Sequence, residues 1–183
     1  MAEGGQQFLN ITFVGHSQML NISDYDGHSV RVLKQGGATL SDLYDETSQL
    51  YEVWSLQNDV IVLFLGGNDL MSIDDQQLKR DLDDSIEQLQ GVCQMLYVTH
   101  LEWRDYSNHP NAHYRNNNEY YQNMITSINA RLSRKSRNAG YRTIRVNQLE
   151  FADRQWDNIH LTSYGKQNLI KKWKRAIEKF INE

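Results

Sequence analysis

The chain has 183 residues and a formal net charge of −4. This length suits one domain with a substantial core over residues 1–183. A hydrophobic fraction of 39% with 23% charged residues excludes a disordered chain. No overall basic charge is available to hold nucleic acid, so we expect no strong nucleic-acid binding by this domain.

The N-terminus and the cysteine content indicate in which cellular compartment the protein resides. Met1 to Gln7 is polar and lacks the apolar core of a secretory signal. No apolar run approaches the ~20 residues of a membrane span. The single cysteine, Cys93, excludes an intrachain disulfide and fits a reducing environment. We therefore expect an intracellular, cytoplasmic protein.

Five short apolar runs rich in β-branched residues predict strands. Each run is continuous rather than alternating, which is typical of parallel strands covered on both faces. In chain order they are Leu9 to Val14, Val30 to Leu33, Val60 to Leu65, Met95 to Val98 and Thr143 to Val146.

Helical patterns alternate with these runs. The first, from Leu40 to Trp54, begins after Thr39 and has Asp42 three residues on, as in a capping box. The others are predicted over residues 74–90, 117–139 and 163–181, and the first two of these stop at a glycine. This alternation predicts an α/β three-layer sandwich around a five-stranded parallel sheet.

Short glycine-containing segments follow three of the predicted strands. Ser17 comes after the first, Gly37 after the second and Asn68 after the third. Ligands bind at the carboxyl ends of parallel strands, so this topology should bring the three residues to one edge. Each also has an ordinary alternative: a serine N-cap, a glycine turn or an Asx turn.

Asp157 and His160 form a D-x-x-H pair near the C-terminus. At this spacing a carboxylate can hold one imidazole nitrogen while the other acts as a base. Such a pair is often only structural. Together with a serine, a backbone donor and an amide donor, however, it completes the groups needed for acyl transfer by an activated serine.

These segments together resemble the four blocks of the SGNH (GDSL-like) serine hydrolase family, and the resemblance runs over nearly the whole chain. Its most specific part is the ending Ile159-His160-Leu161-Thr162, followed by Gly165. The four blocks are Gly15-His16-Ser17, Gly37-Ala38-Thr39, Gly67-Asn68-Asp69 and Asp157-Asn158-Ile159-His160.

The resemblance implies a flavodoxin-like SGNH hydrolase fold and a carboxylic ester hydrolase that uses no metal or cofactor. By the same resemblance, Ser17 is the nucleophile, His160 the general base and Asp157 the group that orients His160. The oxyanion hole would consist of the N–H groups of Ser17 and Gly37 and the side-chain amide of Asn68.

One position departs from the family pattern. His16 stands where the family usually has an aspartate, which is not a triad member, so catalysis need not be lost. Our hypothesis is that His16 tunes the serine turn. The Gly-His-Ser variant resembles the esterase domains in first-reading-frame proteins of some vertebrate LINE-type retrotransposons. That likeness implies a piece of a longer RNA-binding protein.

The polar segment from Trp103 to Asn118 follows the fourth predicted strand and contains the only proline. We predict that it overhangs the same edge as a lid or an acyl-pocket wall. Because it is nearly free of aliphatic residues, we expect short acyl groups, acetyl above all. Its tyrosines and Trp103 could instead line a shallow lipid groove.

The final helix has an apolar and a basic face. We interpret it as a surface helix packed on the sheet, with membrane-surface contact as the alternative. For the whole chain two functions stay open, since a fold alone does not separate them. One is a serine esterase acting on a small ester or lipid through an acyl-enzyme intermediate. The other is a lipid-binding or assembly module with weak turnover.

Overall fold

A parallel sheet of strand order β2-β1-β3-β4-β5 forms the centre of the computed structural model, which describes residues 8–16, 19, 22, 25, 27–146 and 160–183. Every neighbouring pair is parallel. The predicted sheet is confirmed, and each strand end lies within two residues of its predicted place. The strands are β1 Asn10–His16, β2 Ser29–Gln35, β3 Val60–Phe64, β4 Met95–Thr99 and β5 Arg142–Ile144.

The described residues contain four α-helices and several short 3-10 helices. Two helix predictions need correction. The stretch 40–54 is not one helix but two 3-10 helices, Leu40–Leu43 and Gln49–Trp54. The helix predicted to reach residue 139 ends earlier. The α-helices are α1 Asp75–Gln90, α2 Ala112–Asn116, α3 Asn118–Lys135 and α4 Ser163–Ile181.

Side chains of the segment between the two 3-10 helices explain why no continuous helix forms. The Asp45 carboxylate accepts hydrogen bonds from the backbone N–H of Thr47 at 2.9 Å and from its hydroxyl at 2.7 Å. The Ser48 hydroxyl then accepts from the backbone N–H of Leu50 at 3.1 Å. Short polar side chains thus capture the donors that a helix would use.

The sheet separates two apolar cores, because successive side chains of a strand point to opposite faces. In β3, Ile61 and Leu63 pack in the core that α1 and α3 cover. Val60, Val62 and Phe64 pack in the core that α4 covers. The predicted three-layer arrangement is therefore confirmed.

The last helix runs antiparallel to the strands. Trp173 Nε1 donates to Thr99 Oγ1 at 3.0 Å, and the Tyr97 hydroxyl donates to the Ala176 carbonyl at 2.7 Å. Thr99 lies nearer the carboxyl end of β4 than Tyr97 does, whereas Trp173 precedes Ala176. The first turn of α4 therefore lies at the carboxyl edge of the sheet.

The apolar face of α4 is buried against the sheet. Leu169, Trp173 and Ile177 are each at most 1% exposed. This confirms the interpretation of a helix packed on the sheet, and it leaves mainly the basic face for any membrane-surface contact. In the part of the chain that the structure describes, no helix has the length and hydrophobicity needed to cross a membrane.

We expect Trp173→Ala to lower the free energy of unfolding by about 3–5 kcal/mol, because it empties a fully buried site and removes the bond to Thr99. Tyr164, on the same helix, is 60% exposed. Tyr164→Ala should change the free energy of unfolding by less than about 0.5 kcal/mol. Urea unfolding followed by circular dichroism measures both. Equal losses in the two variants would contradict the core position of α4.

Candidate active site

The turn after β2 and the loop after β3 are joined at the carboxyl edge. Asn68 Nδ2 donates to the Ala38 carbonyl at 2.8 Å. The backbone nitrogen of Leu40 donates to the Asp69 carboxylate and lies 3.2 Å from each of its oxygens. Gly37, the residue before Ala38, has a φ of 72°, which favours glycine. The structure thus brings the segments that hold Gly37 and Asn68 together.

Strand β1, which ends at His16, lies between β2 and β3, the strands that precede these two segments. Two of the predicted triad residues, Ser17 and Asp157, lie outside the described residues. Gly15, in the same motif as Ser17, is described. A Cβ atom built on Gly15 would lie 2.6 Å from the Phe64 carbonyl oxygen, so no side chain fits there without a shift. Glycine is therefore required here by a close approach of backbone in β3.

His16 is the last residue of β1 and is 1% exposed. Its ring centroid lies 4.5 Å from that of Phe64. Its Nε2 lies 3.7 Å from Glu102 Oε1. The residue that departs from the family pattern is therefore packed beneath the edge and faces a buried carboxylate rather than solvent.

The structure adds two charged residues that sequence reasoning missed, Glu102 and Arg104. Both follow β4 and are nearly fully buried. Glu102 Oε1 accepts from Arg104 Nη2 at 2.7 Å and from Nε at 3.1 Å. Burial opposes ionisation of Glu102, but Arg104 and then His16 outweigh it and hold the pKa of this carboxyl well below its usual range. The pair is therefore charged.

The spacing of this pair is visible in the sequence, but its burial is not. Glu102 and Arg104 flank Trp103, so they share one side of an extended segment while the tryptophan takes the other. Trp103 is 38% exposed, whereas its two neighbours are buried. The order of exposure is the reverse of what hydrophobicity predicts.

The ion pair contacts the proposed oxyanion donor. Asn68 Oδ1 lies 3.4 Å from both Nη1 and Nη2 of Arg104. A Cβ atom built on Gly67 would lie only 2.5 Å from Arg104 Nη2. The glycine before Asn68 therefore leaves the space that the guanidinium occupies.

His160 lies just ahead of α4 and is exposed. The next residue, Leu161, is buried in the same core as Trp173. Thr162 is the N-cap residue, and its hydroxyl accepts from the Gly165 N–H at 3.1 Å. The motif after the histidine thus anchors and caps the helix. Because α4 begins at the carboxyl edge, His160 lies at the same edge as Asn68 and Gly37.

The aromatic residues of the segment after β4 are largely part of the core. Tyr106 is fully buried, and its ring centroid lies 5.2 Å from that of Tyr121 and 6.1 Å from that of Tyr114. The residues from Ser107 to Ala112 are mostly exposed and polar. The segment therefore offers polar side chains to solvent, keeps Tyr106 inside and packs the half-buried Tyr114 against the core.

A cavity of about 380 Å³ lies between α3 and the residues that follow β4 and β5. Its lining includes Leu101, Trp103, Ile125, His100 and Arg145. Burial, and secondarily Arg145, lowers the pKa of His100 to about 4, so this ring is neutral at pH 7. Among the described residues, no group of three or more His, Cys, Asp or Glu side chains could hold a metal ion.

The sequence matches the family model described as "GDSL-like Lipase/Acylhydrolase" over residues 5–173. The chain belongs to this family. Membership implies hydrolase activity on esters. No protein of curated function matches the chain in sequence.

Solved structures of the family have the same fold. A GDSL-like lipase from Bacteroides thetaiotaomicron has a TM-score of 0.69 at 16% identity, covering 96% of this chain and 92% of its own. The lipase/acylhydrolase from Enterococcus faecalis has a TM-score of 0.71 at 14% identity, and the match covers 94% of this chain and 96% of that protein. A lipolytic protein of the G-D-S-L family from Veillonella parvula has a TM-score of 0.64 at 13% identity, covering 89% and 94%.

The family residue Asp69 gives a pH-dependent prediction. Burial, which the hydrogen bond from Leu40 only partly offsets, raises the pKa of Asp69 to about 6. At pH values between the pKa of Asp69 in the unfolded chain and its pKa in the folded chain, the folded state binds more protons than the unfolded state does. The contribution of Asp69 to stability is therefore full below pH 4 and is lost as the pH rises through 6.

We therefore compare wild type with Asp69→Asn, which keeps an acceptor for Leu40 but does not titrate. The free energy of unfolding of wild type minus that of the variant should fall by as much as about 3 kcal/mol from pH 4 to pH 7. Urea titrations across this range measure the difference. A difference that stays flat or rises with pH would contradict the raised pKa.

Proposed function

We propose that the protein is a serine esterase that hydrolyses short-chain O-acyl esters, acetyl esters above all, through an acyl-enzyme intermediate. The observation that carries the proposal is the side-chain amide of Asn68. Its nitrogen points to the Gly37 turn, and its oxygen points to Arg104. An amide nitrogen held at this edge, beside a turn with positive φ, is a donor in place before any substrate arrives.

The proposed reaction has two stages. Ser17 Oγ attacks the ester carbonyl carbon, and its proton passes to His160. The tetrahedral intermediate collapses, the ester C–O bond breaks, and His160 returns the proton to the leaving alcohol. Water then attacks the acyl carbonyl carbon and gives a proton to His160. The bond from that carbon to Ser17 Oγ breaks, His160 returns the proton to Ser17 Oγ, and the carboxylic acid leaves. Asp157 would hold the imidazole in the required tautomer.

The negative oxygen of each tetrahedral intermediate needs fixed donors. We assign this role to the N–H groups of Ser17 and Gly37 and to Asn68 Nδ2. Only one of the two hydrogens on Nδ2 is needed for the bond to Ala38, so the other remains for the oxyanion. A neutral amide also does not bind water as tightly as a charged group does.

The preference for short acyl groups rests on the segment from Trp103 to Asn118. Tyr106 packs in the core, Tyr114 packs against it, and the exposed residues of the segment are mainly polar. A long acyl chain against such a wall gains little of the ~0.8 kcal/mol that each buried methylene contributes. This supports acetyl over long-chain esters.

A lipid-binding module with weak turnover is the second candidate. One observation favours it: the exposed Trp103 lines a mainly apolar cavity with Leu101 and Ile125. The burial of the apolar face of α4 counts against it, because that face is not available to lipid. Turnover measurements separate the two candidates.

Ser17→Ala and His160→Ala should each abolish most hydrolysis of p-nitrophenyl acetate without unfolding the domain. Triad members act as a unit, so the double variant should be little worse than either single one. A fluorophosphonate should label wild type at Ser17 and leave Ser17→Ala unlabelled. Turnover by Ser17→Ala at the wild-type rate would remove the nucleophile assignment.

Acetyl and butyryl esters should be cleaved faster than octanoyl or longer esters. The measurement is kcat/KM across acyl lengths, below the micelle concentration of each substrate. Trp103→Ala should change the ranking, since Trp103 is the large apolar side chain exposed in the segment. A steady rise of kcat/KM with chain length would favour the lipid-binding alternative.

A further inference from the structure

We propose that Arg104, held by Glu102, is a positioning residue that fixes the side-chain amide of Asn68 with its nitrogen toward the oxyanion. The inference rests on the proposed function for its catalytic consequence. Its structural part, the orientation of the amide, stands on contacts between described residues.

The neighbours of Asn68 allow only one orientation of its amide. Arg104 can only donate hydrogen bonds, and its Nη1 and Nη2 atoms each lie 3.4 Å from Asn68 Oδ1. The Ala38 carbonyl can only accept, and it lies 2.8 Å from Nδ2. Rotating the amide by 180° would set N–H against guanidinium N–H and oxygen against carbonyl oxygen. Both contacts would become repulsive.

Arg104 can do this because Glu102 holds it. The guanidinium donates through Nε and Nη2 to one carboxylate oxygen of Glu102, at 3.1 and 2.7 Å. Both side chains are at most 4% exposed. Planar guanidinium groups bind through several N–H groups at once, so this geometry fixes the plane that faces Asn68.

The same carboxylate oxygen faces His16, which precedes the proposed nucleophile. His16 Nε2 lies 3.7 Å from Glu102 Oε1. One buried carboxylate is therefore shared between the end of β1 and the guanidinium that contacts Asn68. This links β1, which ends just before Ser17 in the sequence, to the loop that carries the amide donor.

The loop leaves room for the guanidinium through Gly67. A Cβ atom at this position would lie 2.5 Å from Arg104 Nη2 and 3.1 Å from Glu102 Oε1. The glycine before Asn68 is thus a space requirement of the positioning pair. Gly67→Ala perturbs the pair without removing a charge.

The test is a double-mutant cycle between Arg104→Met and Asn68→Ala, measured on p-nitrophenyl acetate. Asn68→Ala should lower kcat by about 10²–10³-fold, as loss of other oxyanion donors does. Arg104→Met should lower kcat by about 10–100-fold and change KM by less than about twofold, because it only releases the amide. In the Asn68→Ala background, Arg104→Met should have almost no further effect on kcat.

Two further variants control for folding. Arg104→Met leaves Glu102 buried without its partner, so Glu102→Gln/Arg104→Met removes both charges together. It should keep the fold and lose the same activity as Arg104→Met. The matched control is Arg131→Met, which removes another arginine ion pair, with Asp83 on α1. It should keep the wild-type kcat.

Independent losses in kcat from Arg104→Met and Asn68→Ala would overturn the proposal, as would a change confined to KM. A readout that does not need activity separates this result from failure of the proposed function. The side-chain hydrogen of Asn68 that bonds to the Ala38 carbonyl should exchange slowly with solvent in wild type and faster in Arg104→Met. An unchanged exchange rate would overturn the inference, whereas lack of turnover with the expected change in exchange rate would overturn only the esterase function.

Discussion

The ion pair between Glu102 and Arg104 is the interaction on which the carboxyl edge of the sheet depends. Removing two charges from water costs several kcal/mol for each, and their attraction offsets this only when the geometry is good and the remaining donors are used. Here the guanidinium is shared between the carboxylate of Glu102 and the amide oxygen of Asn68. An apolar pair of the same size could stabilise the fold equally well, but it could not orient an amide. The charges are therefore explained by positioning rather than by stability.

The order of the strands makes this positioning useful. Because β1 lies between β2 and β3, its last residue, His16, lies between the strands that lead to the Gly37 turn and to Asn68. Bonds from Asn68 to Ala38 and from Leu40 to Asp69 tie these flanking segments together. Donors that are fixed before substrate binds cost no reorganisation during the reaction, and this is the condition for strong stabilisation of an oxyanion.

The sheet and most of the helices could be predicted because their signals are local and repeated. Continuous apolar runs identified all five strands, and the spacing of apolar residues gave both ends of α4. The prediction of one helix from Leu40 to Trp54 was wrong because Asp45 and Ser48 bind nearby backbone N–H groups. The spacing of apolar residues does not reveal this competition for backbone donors.

Short motifs in the sequence predict Gly37, Asn68 and His160 as site residues, and the structure places these three at one edge of the sheet; their roles in a reaction stay a prediction. The buried ion pair beside them was not predicted. Glu102 and Arg104 were missed because charged residues in a segment after a strand usually face solvent. Their burial depends on the absence of a side chain at Gly67, which is distant in sequence. Only the folded structure shows that Arg104 and Glu102 fill the space beside Gly67.

Two buried carboxylates at this edge behave in opposite ways, and the contrast divides their roles. Asp69 accepts hydrogen bonds from the backbone N–H of Leu40, but burial outweighs them and raises its pKa to about 6. Glu102 is more deeply buried, yet Arg104 and His16 hold its pKa well below the usual range. Mild acid therefore protonates Asp69, which links the two loops. It leaves Glu102, which holds Arg104 against Asn68, ionised. The orientation of the amide donor is thus insulated from pH by the ion pair itself, while the packing of the loops around it is not.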